Sequence, residues 1–377
     1  MRYRVFLFLG VVTLVLASSC YYMARRSMSF SPTLLKHPGA VWITVAGFLV
    51  LQFGVPVVHR ALGFRLAALS WISYLALGFV SSYFLYLASA DLCHWVLKKS
   101  LGLDRSSWVL PMALGLTMVS TGVGLAQCLL PVRIHRLDIP IHDLPPELNG
   151  FCIAQLSDLH LGPLTSVSRI QGIVERTNGL QPDLIAVTGD LADGDVHQER
   201  ACLEALGQLE AALGVFFVTG NHEHYSGAES WLAALRALGW NTLVNRHALL
   251  QSRGAHVAVI GLPDPASPEP ARLTSAMEGV PAEAFKLLLY HPPTGSEAAS
   301  RSGIHLQLSG HVHGGQYFPW SPIVRSFFKH PAGLHRIGDM WLYASPGTGF
   351  WGPPNRLLVP PEITLLTMRP GPAASDR

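Results

Sequence analysis

The chain changes its hydrophobic pattern near residue 133. Before that point, residues 5–24, 39–58, 66–90 and 106–132 hold no Asp, Glu, Lys or Arg. Each is about as long as the roughly 20 residues a helix needs to cross a bilayer, and none shows a clear polar stripe, so four membrane spans are expected. Beyond it the apolar positions fall into short runs. Five of these, Ile153–Ser157, Leu184–Gly189, Val215–Gly220, Lys286–Tyr290 and Leu306–Gly310, end in small or polar turn residues followed by Asp, Asn or His. Short apolar runs bounded by turns read as buried strands, and in α/β domains ligands gather where strand C-termini open into loops.

Between the runs the period changes. Val167, Ile170, Ile173 and Val174 sit at helical spacing within Thr165–Leu180, and Leu203, Leu206, Leu209 and Leu213 repeat it within Gln198–Leu213. Ala228–Leu238 predicts a third helix, residues 241–262 predict paired strands turning at Ser252–Gly254, and residues 340–345 and 363–368 predict further strands. The expected fold is α/β: a layered α/β/β/α sandwich of two mixed sheets, preceded by a four-helix transmembrane region. The expected division is a membrane region over 1–136, a Pro-punctuated linker over 137–149 and a soluble domain over 150–377.

Composition adds less. The formal charge of +3 is too small to suggest nucleic acid, and no basic run interleaved with aromatics supplies a binding stripe. Five cysteines form no disulfide framework, which leans toward a reducing compartment and a cytoplasmic soluble part. Basic residues flanking the spans do not decide orientation: Arg2, Arg4, Arg60, Arg65, Arg133 and Arg136 balance Arg25, Arg26, Lys36, Lys98, Lys99 and Arg105.

The residues at the strand ends suggest a metal centre. Two neighbouring divalent cations need a carboxylate that bridges, together with imidazoles and neutral oxygens that limit total charge. Asp158 and His160 alternate on one turn and can reach one ion, while Asp190 at the tip of the next run is the natural bridge. Asn221 offers a neutral oxygen to a second ion, and His291, His311 and His313 complete the set. Without thiolates, these ligands suit manganese, iron or zinc, and the chemistry they permit is hydrolysis at phosphorus.

Asp158-Leu-His160, Gly189-Asp190, Gly220-Asn221-His222-Glu223, His291 and Gly310-His311-Val312-His313 together resemble the calcineurin-like metallophosphoesterase family. Gly314-Gly315-Gln316, Ser345-Pro-Gly-Thr-Gly349 and Pro361-Glu362-Ile363 make the membrane-anchored branch the nearest match, over about residues 150–368. The resemblance implies that Asp158, His160, Asp190 and His313 hold one cation and that Asp190, Asn221, His291 and His311 hold the other. It also implies that His222 binds no metal but contacts the phosphate and protonates the leaving oxygen. A histidine beside a metal-bound Asn is independently suited to that proton transfer.

Glu223 has two readings, a residue that orients His222 or a solvated charge at a helix start. Asp193 reads as a hydrogen-bond partner or a turn residue. His224, His305 and His335 fit no ligand position and are expected to have surface or packing roles. Residues Tyr317–His330 are unusually aromatic, and with Arg325 and Lys329 they suit either a lipid headgroup region or packing on the sheet. The expected partners are therefore the bilayer and a phosphorylated substrate, with a lipid-linked phosphate, phosphodiester or pyrophosphate as one candidate. Arg356 is a further phosphate-contact candidate, or an exposed Arg in a Pro-rich stretch. The competing reading is a non-catalytic scaffold that keeps the fold, because fold alone does not establish activity.

Overall fold

The computed structural model describes residues 2–62 and 67–371, without the side chains of residues 2–9, 32, 56–57 and 59–62. Two compact units emerge: residues up to Leu125 with Gly352–Asn355, and Ala126–Trp351 with the residues from Arg356 onward.

The first unit is helical, with helices Arg2–Phe30, Pro32–Lys36, Pro38–Leu62, Ala67–Leu101 and Ser106–Leu129. Three of the described helices are long and apolar enough to cross a membrane: Pro38–Val55, Ala67–Leu101 and Ser106–Leu129. Their large side chains include the exposed Ile43, Val50 and Val119, an arrangement that hydrocarbon surroundings favour over water. The expected fourth span, residues 5–24, is not among the three. It lies in Arg2–Phe30, whose first side chains are outside the described residues and whose later turns carry Arg25 and Arg26. The helix over 66–90 is longer than its charge-free core and continues through Asp91 to Leu101. Asp91 is paired: it accepts from the Tyr22 hydroxyl at 2.6 Å and from Arg26 Nε at 2.7 Å. A charge on such a helix is tolerable when it is paired in this way.

The described residues of the second unit contain twelve strands. They are β1 (Arg133–Ile141), β2 (Cys152–Leu156), β3 (Leu184–Val187), β4 (Val215–Phe217), β5 (Asn241–Thr242) and β6 (Arg246–Ser252), followed by β7 (Ala255–Gly261), β8 (Phe285–Leu289), β9 (Leu306–Ser309), β10 (Gly333–Ile337), β11 (Met340–Ala344) and β12 (Glu362–Pro370). One sheet runs β1-β12-β2-β3-β4-β5 and the other β10-β11-β9-β8-β7-β6. Both are mixed: β2, β3, β4 and β5 are parallel to their neighbours while β12 and β2 are antiparallel, and β7, β8, β9 and β11 are parallel while β6 and β10 close the edges antiparallel.

Three apolar clusters explain the layering. Ile153, Leu184 and Phe216 of the first sheet meet Val257, Phe285, Leu287 and Leu308 of the second. The outer face of the first sheet, with Leu156, Ile185 and Phe217, covers Ile170, Ile173, Leu206 and Trp231 on its helices. The outer face of the second, with Ile260, Leu288 and Leu342, covers Ala276 and Ala299. Strands buried on both faces are largely apolar: β3 is so throughout, and β8 departs from the pattern only at Lys286.

Two expectations change here. The linker expected over 137–149 begins as a strand, because residues 133–141 pair parallel with β12. Pro140 lacks an N–H, but β1 is at a sheet edge, where that donor is not needed by a second neighbour. The helix expected over Gln198–Leu213 is confined to Arg200–Leu206 and capped by Gly207, although Leu209 still joins the same core. The turn expected at Ser252–Gly254 is present: Arg253 (φ 52°) and Gly254 (φ 97°) give the two left-handed residues of a tight hairpin between β6 and β7.

Candidate metal centre

Every candidate ligand lies just past the C-terminal end of a strand. Asp158 and His160 follow β2, Asp190 follows β3, and Asn221 opens the short helix Asn221–Ser226 after β4. From the second sheet, His291 follows β8, and His311 and His313 follow β9. Backbone bonds join these loops: Asp158 N–H donates to Gly189 O at 3.0 Å, His160 N–H to Asp190 O at 3.1 Å, and Gly310 N–H to His291 O at 2.8 Å.

The side chains form clusters. Asp158, His160 and His313 bring one donor atom each within 4.8 Å of one another, and so do Asp190, His291 and His311. His160 Nε2 lies 3.1 Å from His313 Nε2, which in turn is 3.3 Å from Asp158 Oδ1. His311 Nδ1 is 3.0 Å from Asn221 Oδ1. The fit to divalent cations rests on what these atoms lack. His291 Nε2 is 3.0 Å from Asp190 Oδ2 yet makes no directional hydrogen bond, and buried His160 Nδ1 has no hydrogen-bond partner. Neighbouring ligands about 2.1 Å from one ion and at right angles stand about 3 Å apart, so these facing pairs have the spacing of a shared cation. Carboxylate, amide and imidazole donors complete a set suited to first-row divalent metals.

Local backbone geometry aims these groups. Asp158, His160, Asp190, His311 and His313 all have positive φ, between 50° and 75°. Left-handed non-glycine residues are uncommon and cluster where structure over-determines them. The glycine before each of two motifs has a steric reason. A Cβ on Gly220 would fall 2.1 Å from Asp190 Oδ1, and one on Gly310 would fall 2.2 Å from Asp158 Oδ2.

Glu223 does not orient His222. It is fully buried, and its carboxylate accepts from the N–H groups of Gly220 (2.6 Å), Leu191 (2.7 Å), Ala192 (2.8 Å) and Asp190 (3.1 Å). It thereby ties the Asp190 loop to the Asn221 loop, an extension of the reach-back of a third helical residue to its cap. Asp193 is the residue that meets His222, with Oδ1 2.9 Å from Nδ1. The His222 N–H also donates to Asp190 Oδ1 at 2.9 Å.

Electrostatics separate the imidazoles. Burial pushes His160 down to about 4 and His313 down to about 3, and it also lowers His311, so these rings are neutral, the form that binds metal. For His291 burial acts in the same direction, but Asp190 outweighs it and raises the ring to about 10. His222 is also raised, its burial outweighed by the Asp193 hydrogen bond and the charge of Asp190. Asp190 itself lies well below the usual carboxylate range, because His291, His160 and His222 outweigh its burial.

Other sequence candidates fall elsewhere. Arg356 is not exposed: it is fully buried, and its guanidinium donates to Pro346 O at 2.6 Å and Gly347 O at 3.0 Å. His224 Nε2 meets Thr219 Oγ1 at 3.3 Å, His335 Nε2 meets Ala332 O at 3.0 Å, and His305 Nδ1 accepts from Lys286 N–H at 2.9 Å.

Residues 152–315 match the model of the calcineurin-like phosphoesterase family. A transmembrane protein with metallophosphoesterase domain from Bos taurus is 35% identical over 279 residues, covering 69% of this chain and 62% of its own. The protein of the same description from Danio rerio is 34% identical over 277 residues, with shares of 68% and 62%. This chain thus spans less than two thirds of the length of either relative. An uncharacterized metallophosphoesterase of Helicobacter pylori strain J99 is 29% identical over 316 residues, 81% of each chain. The strand-end residues thus lie in a calcineurin-like phosphoesterase domain, matched over residues 152–315.

Proposed function

We propose that this chain is a membrane-anchored phosphohydrolase with two divalent cations, cleaving a phosphate ester, phosphodiester or pyrophosphate bond. The observation that carries the reading is the convergence of Asp158, His160 and His313, and of Asp190, His291 and His311, from strand ends of both sheets. Asp158, His160, Asp190 and His313 would hold one cation, and Asp190, Asn221, His291 and His311 the other. Bound manganese, iron or zinc would supply Lewis acidity and an activated water. His222 holds the proton destined for the leaving oxygen, and Asp193 fixes its ring through Nδ1. Glu223 keeps the Asp190 loop in the conformation that turns its carboxylate inward.

The test is hydrolysis of generic mono- and diesters with manganese added, comparing wild type with Asp190→Asn and His222→Ala. Turnover that neither substitution alters would refute the assignment, and a metal-binding wild type with no turnover would favour the scaffold reading.

A lipid-linked substrate is the finer form of this proposal. Phe327 is 80% exposed at the end of helix Ser321–Phe327, with Ile323 exposed on the same helix. Exposed apolar side chains beside Lys329 suit a headgroup boundary. In proteoliposomes, Phe327→Ser should slow turnover of a bilayer-embedded phosphate ester and spare a water-soluble one. Equal loss on both substrates rules out the lipid contact. All five cysteines are free, which favours the cytoplasmic side for the catalytic unit, and protease protection of oriented vesicles tests this.

A further inference from the structure

Gln316 extends the His311/His313 motif, and its backbone N–H donates to His313 O at 2.9 Å. Its side-chain amide pairs twice with the backbone of a residue 35 positions away: Nε2 donates to Trp351 O at 2.8 Å, and Oε1 accepts from Trp351 N–H at 2.9 Å. Two such bonds fix a backbone as a strand neighbour does, although here a single side chain supplies both. The residue they fix is half-exposed, and its ring stands edge-on to His222 with centroids 5.5 Å apart and planes at 74°. Tyr225, also exposed, comes within 5.5 Å of His222 in a tilted arrangement. His222 therefore lies beside two aromatic rings that water does not favour.

Because Nδ1 of His222 is engaged by Asp193, the opposite nitrogen of the ring is the one available to a leaving oxygen. A group carried by that oxygen would lie within reach of Trp351 and Tyr225, whose ring centroids are each 5.5 Å from that of His222. Aromatic walls of this kind present large rigid apolar area and few polar contacts. We infer that Trp351 and Tyr225 form a subsite for an apolar leaving group, with Gln316 as the residue that positions Trp351. The substrate class is a phosphate ester or anhydride whose departing half bears a ring or hydrocarbon beside the scissile bond. The inference rests on the hydrolase reading, since it takes His222 as the proton donor.

The test uses the full chain in nanodiscs with manganese and measures calorimetric affinities for methyl-, butyl- and benzylphosphonate, which are not hydrolysed. Wild type should bind the benzyl compound about tenfold more tightly than the methyl one, the scale of burying a ring against aromatic walls. Trp351→Ala should bring that ratio to within about twofold, Trp351→Phe should keep most of it, and Gln316→Ala should erode part of it. Tyr225→Ala, at an exposed side chain, repeats the test should Trp351→Ala fold poorly. A preference for benzyl alone identifies a flat ring as the departing group, and one shared by butyl identifies hydrocarbon in general. Equal wild-type affinities for all three, or an unchanged ratio in Trp351→Ala, would overturn the subsite while leaving the metal centre standing. Failure to bind any phosphonate would remove the metal centre and the subsite together.

Discussion

The two sheets contribute unequally to the cluster. All the carboxylates come from loops of the first sheet, at Asp158, Asp190 and Asp193, together with the Asn221 amide and His160. The second sheet sends only imidazoles, His291, His311 and His313. Support differs accordingly. The first side is tied by four backbone N–H groups that donate to the buried Glu223 carboxyl group. The second is set by main-chain geometry: His291 Nδ1 lies 2.7 Å from Thr188 O and donates to it, which leaves Nε2 facing Asp190. A carbonyl bound at one imidazole nitrogen fixes the tautomer and frees the other nitrogen as a ligand. The difference teaches that, in the proposed centre, the carboxylate half would decide whether cations are held, while the imidazole half would set how they are shared.

The sharpest break removes Asp190, the carboxylate that would serve both cations in the proposed centre. Asp190→Asn should lower manganese-dependent hydrolysis by at least about a thousandfold, a loss of about 4 kcal/mol in transition-state stabilisation. Metal content should fall with it, and a variant that keeps full metal content would show the two halves to be equivalent. His222→Ala should cost about a hundredfold or more in rate with metal content retained, and Asp193→Asn should cost less, because the ring stays and only its orientation loosens. Steady-state rates with metal analysis check both.

Glu223→Gln sharpens the contrast in support. An amide in place of the carboxylate turns a donor toward four backbone donors, and hydrogen bonds to a buried charge are each worth about 1.5–3 kcal/mol. The variant should unfold at lower denaturant by about 3 kcal/mol, whereas a shift under about 1 kcal/mol would deny the loop its charge anchor.

The smallest effect belongs to the second sheet. Burial, helped by Lys286, lowers His305 to about 4, and its Nδ1 accepts from Lys286 N–H. The folded value lies below the unfolded one near 6.5, so the neutral ring's contribution is complete above about pH 6.5 and declines as pH falls toward 4. The decline should reach about 1–2 kcal/mol after allowing for partial exposure, and His305→Asn should flatten it in denaturation measured from pH 7 to 4.

Much of this was legible from sequence, and for a physical reason. The Gly189, Gly220 and Gly310 turns stand out because neighbouring ligand loops approach too closely for a Cβ. A strand such as β3, apolar throughout, announces itself in the same way. Residues 133–141 did not, because an edge strand with Arg133, His135, Arg136, Asp138 and Pro140 carries the composition of a linker. Glu223 and Arg356 were misread because a charged side chain looks solvated until its partners are known, and those partners are backbone groups that any sequence would supply. Trp351 and Gln316 carry no local pattern that joins them. A membrane span is legible from length and charge alone, but Arg26 and Asp91 find each other only once two helices are packed.

The left-handed backbone at Asp158, His160, Asp190, His311 and His313 carries a last consequence. Conformations of that kind cost about 1 kcal/mol or more each, and glycine adopts them freely. Glycine at any of these positions would relieve that cost while removing the side chain that the proposed centre needs. Selection for durability alone would therefore erase these five side chains, and their presence marks what the fold sacrifices to keep them.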